Sequence, residues 1–153
     1  MSRFQFNVTS SAALAASTNF AYLMAASGGG FKLRRMTLGV VTNTATVPTS
    51  QQVVVAVYRV TAMTSPGGAP TVNQLDPNSN ANTATPYTTG TPTLGSAASW
   101  LIPFNTQSGV DLPWELLEEW VCTKGIANGF AWQNTTNALP SGHQLVLSVE
   151  WEE

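Results

Sequence analysis

The sequence predicts an all-β protein, an antiparallel β-sandwich of about eight strands with jelly-roll-like or immunoglobulin-like character. Three observations carry this. Apolar residues alternate with period two in short runs. Nothing between those runs holds a 3.6-residue period over ten or more positions, which argues against parallel α/β architecture. Gly, Pro, Asn and Thr punctuate the chain throughout. At 153 residues the chain is read as one domain, 1–153, large enough to bury a real core.

The strands follow in order. Phe4, Phe6 and Val8 share one face of the first, and Phe20, Tyr22 and Met24 one face of the second, which SGGG at 27–30 ends. FKLRRMTLGVVT begins with Phe31 and Leu33 in phase, then switches at Arg34-Arg35 to Met36, Leu38 and Val40. Such a switch predicts a β-bulge that turns an arginine to an unusual side. QQVVVAVYRVTAM is apolar on both faces and reads as a central strand. After a break come WLIPFN (100–105), EEWVCT (118–123), IANGFAWQN (126–134) and QLVLSVEW (144–151).

The break, residues 64–99, has one charge, Asp76, and five prolines among Thr and Gly. It reads as one long loop. Loops of this length are functional or mobile unless something holds them, so neighbouring subunits are expected to tie it down, with self-packing as the alternative. DLPWELLEEW (111–120) reads as one short helical turn near 113–119. Asp111 would be its cap, Pro113 its first position, and Glu115 would sit in its first turn.

Charge is scarce, at 9% against about 25% in an average soluble protein, so much of the surface is expected to lie against neighbours. It is also segregated. Residues 1–60 hold Arg3, Lys32, Arg34, Arg35 and Arg59 with no acid, and the remainder holds Lys124 and all eight carboxylates. Pairing between the two halves, within one fold or between copies, fits this better than nucleic-acid binding, which needs a dense basic patch. The N-terminal stretch lacks the apolar run of a signal peptide or a membrane span, so neither export nor membrane insertion is expected. The sequons Asn7-Val8-Thr9 and Asn134-Thr135-Thr136 are accordingly read as accidental.

Four patterns could carry chemistry. Glu115 with Glu118 or Glu119 could supply the paired carboxylates of a glycosidase, but neighbours on one small turn point the same way into solvent instead of facing each other across a sugar. A solvated or partner-facing acidic rim is the preferred reading. His143 in PSGHQ and the lone Cys122 support neither a zinc site nor a catalytic relay. Asp76-Pro77-Asn78-Ser79-Asn80-Ala81-Asn82 has the rhythm of a calcium loop but lacks its glycine and its bidentate glutamate. No metal or cofactor is therefore expected. Trp120, Trp132 and Trp151 lie in strand patterns and read as core or sandwich-edge residues, whereas Trp114, beside a proline, is the one expected at a surface or interface.

The low-charge, Thr/Ala-rich sandwich, the Pro/Thr/Gly segment and the runs FNTQSGVDLPWELLEEW and LPSGHQLVLSVEWEE together resemble the head decoration, or cement, proteins of tailed bacteriophages. The resemblance implies a non-enzymatic virion protein. Such proteins bind the outside of an assembled capsid, commonly as homotrimers, and stabilise it by bridging capsomers. The implied partners are the major capsid protein and copies of the chain itself. The implied location is the capsid exterior, after synthesis in the host cytoplasm. No single residue role transfers by this route. From the residues themselves, Arg34, Arg35, Trp114, Glu115, Glu118 and Glu119 are the candidates for an assembly interface. A tail- or fibre-associated protein, or a carbohydrate- or receptor-binding module using tryptophan platforms, is the alternative.

Overall fold

The computed structural model describes residues 1–43, 45, 47–77, 80–115 and 118–153. Two antiparallel sheets pack face to face. The first contains β1 (Arg3–Thr9), β3 (Phe31–Thr42), β5 (Val72–Gln74), β9 (Val110–Pro113), β10 (Trp120–Cys122) and β12 (His143–Glu152) in the order β10-β3-β12-β1-β5, with β9 also on β3. The second contains β2 (Thr18–Met24), β4 (Gln52–Gly67), β6 (Thr85–Tyr87), β7 (Thr89–Leu94), β8 (Trp100–Asn105) and β11 (Gly129–Asn134) in the order β6-β2-β11-β4-β7, with β8 also on β4. As its two-sided apolar pattern predicts, β4 is interior, with β11 on one flank and β7 and β8 on the other.

In the long strands, alternation places an apolar row between the sheets. Phe4 and Phe6 on β1, Trp151 on β12 and Trp132 on β11 form a chain of rings with centroids 5.5 to 6.2 Å apart in tilted and edge-on contacts. The Trp132 indole N–H reaches the Met36 sulfur at 2.9 Å, so its donor is not left empty in the core. Each such fully buried side chain contributes roughly 1.5–3 kcal/mol of transfer free energy.

The single long loop expected over 64–99 is not what forms. β4 runs on to Gly67, and β5, β6 and β7 each add a strand to a sheet edge. This raises the strand count to twelve among the described residues. The distal part of β4 and β7 also lie against the outer face of the second sheet, where Tyr22, Met24, Val60 and Ala131 form a second small apolar cluster with Met63, Tyr87 and Leu94. The Tyr22 hydroxyl donates to the Gly90 carbonyl there at 3.4 Å. Between β5 and β6, the Glu153 side chain accepts from the Thr83 and Ala84 backbone N–H groups, the Thr83 hydroxyl and the Trp151 indole at 2.6 to 2.9 Å. Contacts within the chain therefore anchor Thr83 and Ala84.

The start of DLPWELLEEW also departs from expectation. Asp111 and Pro113 belong to β9, opposite Thr37 and Arg35, instead of capping and opening a helical turn. Leu116 and Leu117 lie outside the described residues. Across them, the Glu118 N–H donates to the Glu115 carbonyl at 3.1 Å.

Candidate functional site

The ladder between β3 and β12 is regular from His143 opposite Thr42 to Glu150 opposite Arg35, after which Trp151 faces Leu33. Arg34 is the residue left over, and the phase switch in the sequence marks the same position. An extra residue in one strand bends it and re-aims a side chain. The Arg34 guanidinium donates through Nε to Glu152 Oε2 at 2.6 Å, places Nη2 2.5 Å from the same oxygen, and pairs through Nη1 with Glu119. The Arg34 side chain is 21% exposed, that of Glu119 3% and that of Glu152 5%. Two nearly buried carboxylates thus share one cation. The second oxygen of Glu152 is buried with no hydrogen-bond partner among the described residues. Removing a member of such a group leaves an uncompensated charge in a low-dielectric setting.

The same bulge explains DLPWELLEEW. β12 occupies one flank of β3, so β9 and β10, which pair with Arg35–Leu38 and Phe31–Leu33, share the other. β9 ends at Pro113 and β10 begins at Trp120, so the break between these two edge strands falls opposite the extra residue of β3. Trp114 extends the β9 ladder by donating its N–H to the Arg34 carbonyl at 3.0 Å. Glu119, directly before β10, is held by the Arg34 side chain. Glu115 and Glu118 are exposed. Arg35 pairs in bidentate fashion with Asp111, at 2.8 and 2.6 Å, and its hydrogen bonds and charge hold the Asp111 carboxyl below the usual carboxylate range. Both guanidiniums are therefore engaged by acids of the C-terminal half of their own chain.

Beside the break, three half-buried tryptophans close the gap between the sheets. Trp100, at the start of β8, has its ring centroid 5.3 Å from Trp114 and 5.0 Å from Trp120, and Trp120 continues to Phe130 at 5.7 Å. Trp114, expected at a surface or interface, is half-buried and packs against the core from this edge. Over the Phe130 ring lies the Arg59 guanidinium, 4.4 Å from the centroid, and its Nη1 donates to the Val121 carbonyl at 2.7 Å. Arg59, Ser99, Glu119, Trp120 and Val121 border a shallow pocket of about 340 Å³. An aromatic wall beside a hydroxyl, a guanidinium and a carboxylate suits a hydroxylated planar-faced ligand or the side chains of a protein partner.

The remaining reactive groups serve the fold. Cys122 is buried, and burial pushes its thiol up to about 11. His143 opens β12 and is buried. Its Nε2 accepts from the Thr49 N–H at 3.0 Å and its Nδ1 faces the Ser141 carbonyl at 3.1 Å, the pattern of a neutral ring protonated at Nδ1. Asn134 of the second sequon is fully buried, with its amide donating to the Leu14, Ala15 and Asn137 carbonyls. Asp76 accepts from the Arg3 backbone N–H at 2.7 Å, while Asn78 and Ser79 of the calcium-like stretch lie outside the described residues. Among the described residues no cluster of three or more His, Cys, Asp or Glu side chains is arranged to hold a metal ion.

The sequence reading did not include Glu152, Trp100 or Arg59 in the site. Arg34 could be found from the phase switch along its own strand. Its partner Glu152 is 118 positions away and depends on knowing which strands pair. No protein-family model, curated protein or solved structure matches this chain.

Proposed function

We propose that this chain is a non-enzymatic virion structural protein that binds the outside of an assembled phage capsid as a homo-oligomer and stabilises the shell by bridging capsomers, on a sandwich we read as jelly-roll-like. One observation carries the reading: what little charge the chain has is largely drawn into pairings within the fold. Arg34 holds Glu119 and Glu152, Arg35 holds Asp111, Arg3 holds Asp76, and Glu153 holds the backbone at 83–84. What remains outside is a largely uncharged Thr- and Ser-bearing surface dotted with exposed Val47, Leu101, Val121 and Ile126. Such a surface suits life against other subunits better than life alone in solution.

The test is to add the purified protein to expanded phage capsids lacking a decoration protein. Co-sedimentation at a fixed copy number per capsid, with a rise in the temperature at which the shell disrupts, is the expected result. Absence of binding would dismiss the proposal.

The tryptophan cluster favours a second reading, a saccharide- or receptor-binding module in which Trp120 stacks a sugar ring beside Arg59, Ser99 and Glu119. A glycan array giving a signal that Trp120→Ala abolishes would support it, and a silent array would count against it.

A further inference from the structure

With the internal pairings accounted for, and with half-buried Glu150 lying in the field of Arg35, four further charged side chains stand out. Lys32 and Lys124 lie within 4 Å of no carboxylate among the described residues, and Glu115 and Glu118 within 4 Å of no cation. The two lysines share one location. They border a recess of about 510 Å³ whose walls include Gly30, Phe31, Val121 and Cys122. Val121 is 46% exposed, and Ile126, two residues beyond Lys124, is 75% exposed. Ile126 stands on a pinned turn: the Asn128 side-chain amide donates to the Thr123 and Lys124 carbonyls at 3.3 and 3.0 Å, and the Asn128 N–H to the Gly125 carbonyl at 2.8 Å. An apolar anchor already fixed in this way loses little conformational freedom on docking. The other two charges, Glu115 and Glu118, are exposed between β9 and β10, linked by the Glu118 N–H to the Glu115 carbonyl and followed by Glu119, which Arg34 holds.

We infer that these two patches bind each other between copies, Glu115 and Glu118 of one subunit seating against the lysine-bordered recess of the next. This rests on the self-association included in the proposed function and deepens it by naming the surfaces. Two unpaired cations beside an apolar recess meet two unpaired anions on a separate surface, so the contact is heterologous and can close into a ring. The carboxylates that also border the recess do not compete, because Glu152 is held by Arg34 and Glu153 by Thr83 and Ala84. The charges set the register and the partner, while Val121 and Ile126 supply the apolar contact.

The experiment is a charge exchange read by sedimentation equilibrium. K32E/K124E and E115K/E118K should each raise the dissociation constant for self-association about tenfold or more. The fourfold exchange K32E/K124E/E115K/E118K should restore it. Wild-type association should weaken between about 0.05 M and about 0.5 M NaCl, as exposed pairs do when screened. Unchanged thermal midpoints in the paired variants would separate assembly from folding, since these side chains make no ion pairs within the fold. Unaltered association in both paired variants would overturn the inference, as would a wild-type chain that is monomeric at all concentrations. If the monomeric chain still binds capsids and K32E/K124E abolishes that binding, the lysine patch faces a capsid acid. The inference then fails while the proposed function stands.

Discussion

At Arg34 a single guanidinium holds two carboxylates that are almost out of water, and its presence between them offsets their mutual repulsion. This is unlike the Arg35–Asp111 pair, in which both side chains are about half exposed and solvent screens the interaction. Arg34→Ala is therefore expected to destabilise the fold by roughly 3–5 kcal/mol, the range for stranding a buried charge, with urea unfolding as the measurement. The triple variant Arg34→Leu, Glu119→Gln, Glu152→Gln removes all three charges together and should recover much of that loss. Equal midpoints for Arg34→Ala and the wild type would mean that the carboxylates never needed their counter-ion.

At the scale of elements, the chain builds long strands from alternating apolar residues and short edge strands from almost anything that can be extended. β1, β3, β4, β8, β11 and β12 each bury a row of side chains that is visible in the sequence, whereas in β2 the expected row splits, Phe20 joining Ala21 and Leu23 in the core and Tyr22 and Met24 entering the second cluster past a register shift. β5 is Val-Asn-Gln and β6 is Thr-Pro-Tyr, and each is held largely by backbone pairing to a neighbour. With no alternation to display, they looked like loop. The candidate site divides in the same manner: the bulge at Arg34 shows in the phase of its own strand, but its acids and the tryptophan cluster depend on pairing among β3, β9, β10 and β12. The distal arm of β4 and β7 turns on Gly90, whose φ is +150° and where an added Cβ would sit 2.7 Å from the Met63 sulfur. Gly90→Val should loosen this arm by about 1–3 kcal/mol through backbone strain and overpacking. Hydrogen exchange should then quicken over residues 61–67 and 89–94 while β12 stays protected, and uniform protection would refute it.

Across the whole molecule, the first sheet is centred on β12, flanked by β1 on one side and β3 on the other. Its middle cannot form until residues more than a hundred positions apart have met, which places folding among the slower, millisecond-to-second topologies. During that interval a Thr- and Val-rich chain with few charges exposes extended backbone, and afterwards β10 still ends the sheet with an open flank. Arg59 changes what that flank can do. By crossing from the second sheet to occupy the Val121 carbonyl, it fills an acceptor that a strand from another molecule would otherwise use. Without it, that acceptor on β10 is open to a strand from another molecule. Arg59→Ala should therefore fold yet convert on storage to dye-binding fibrils that seed further conversion, while a solution that stays clear would show the edge to be safe without its guard. One guanidinium from the facing sheet thus decides whether the last acceptor at this edge is open or closed to another chain.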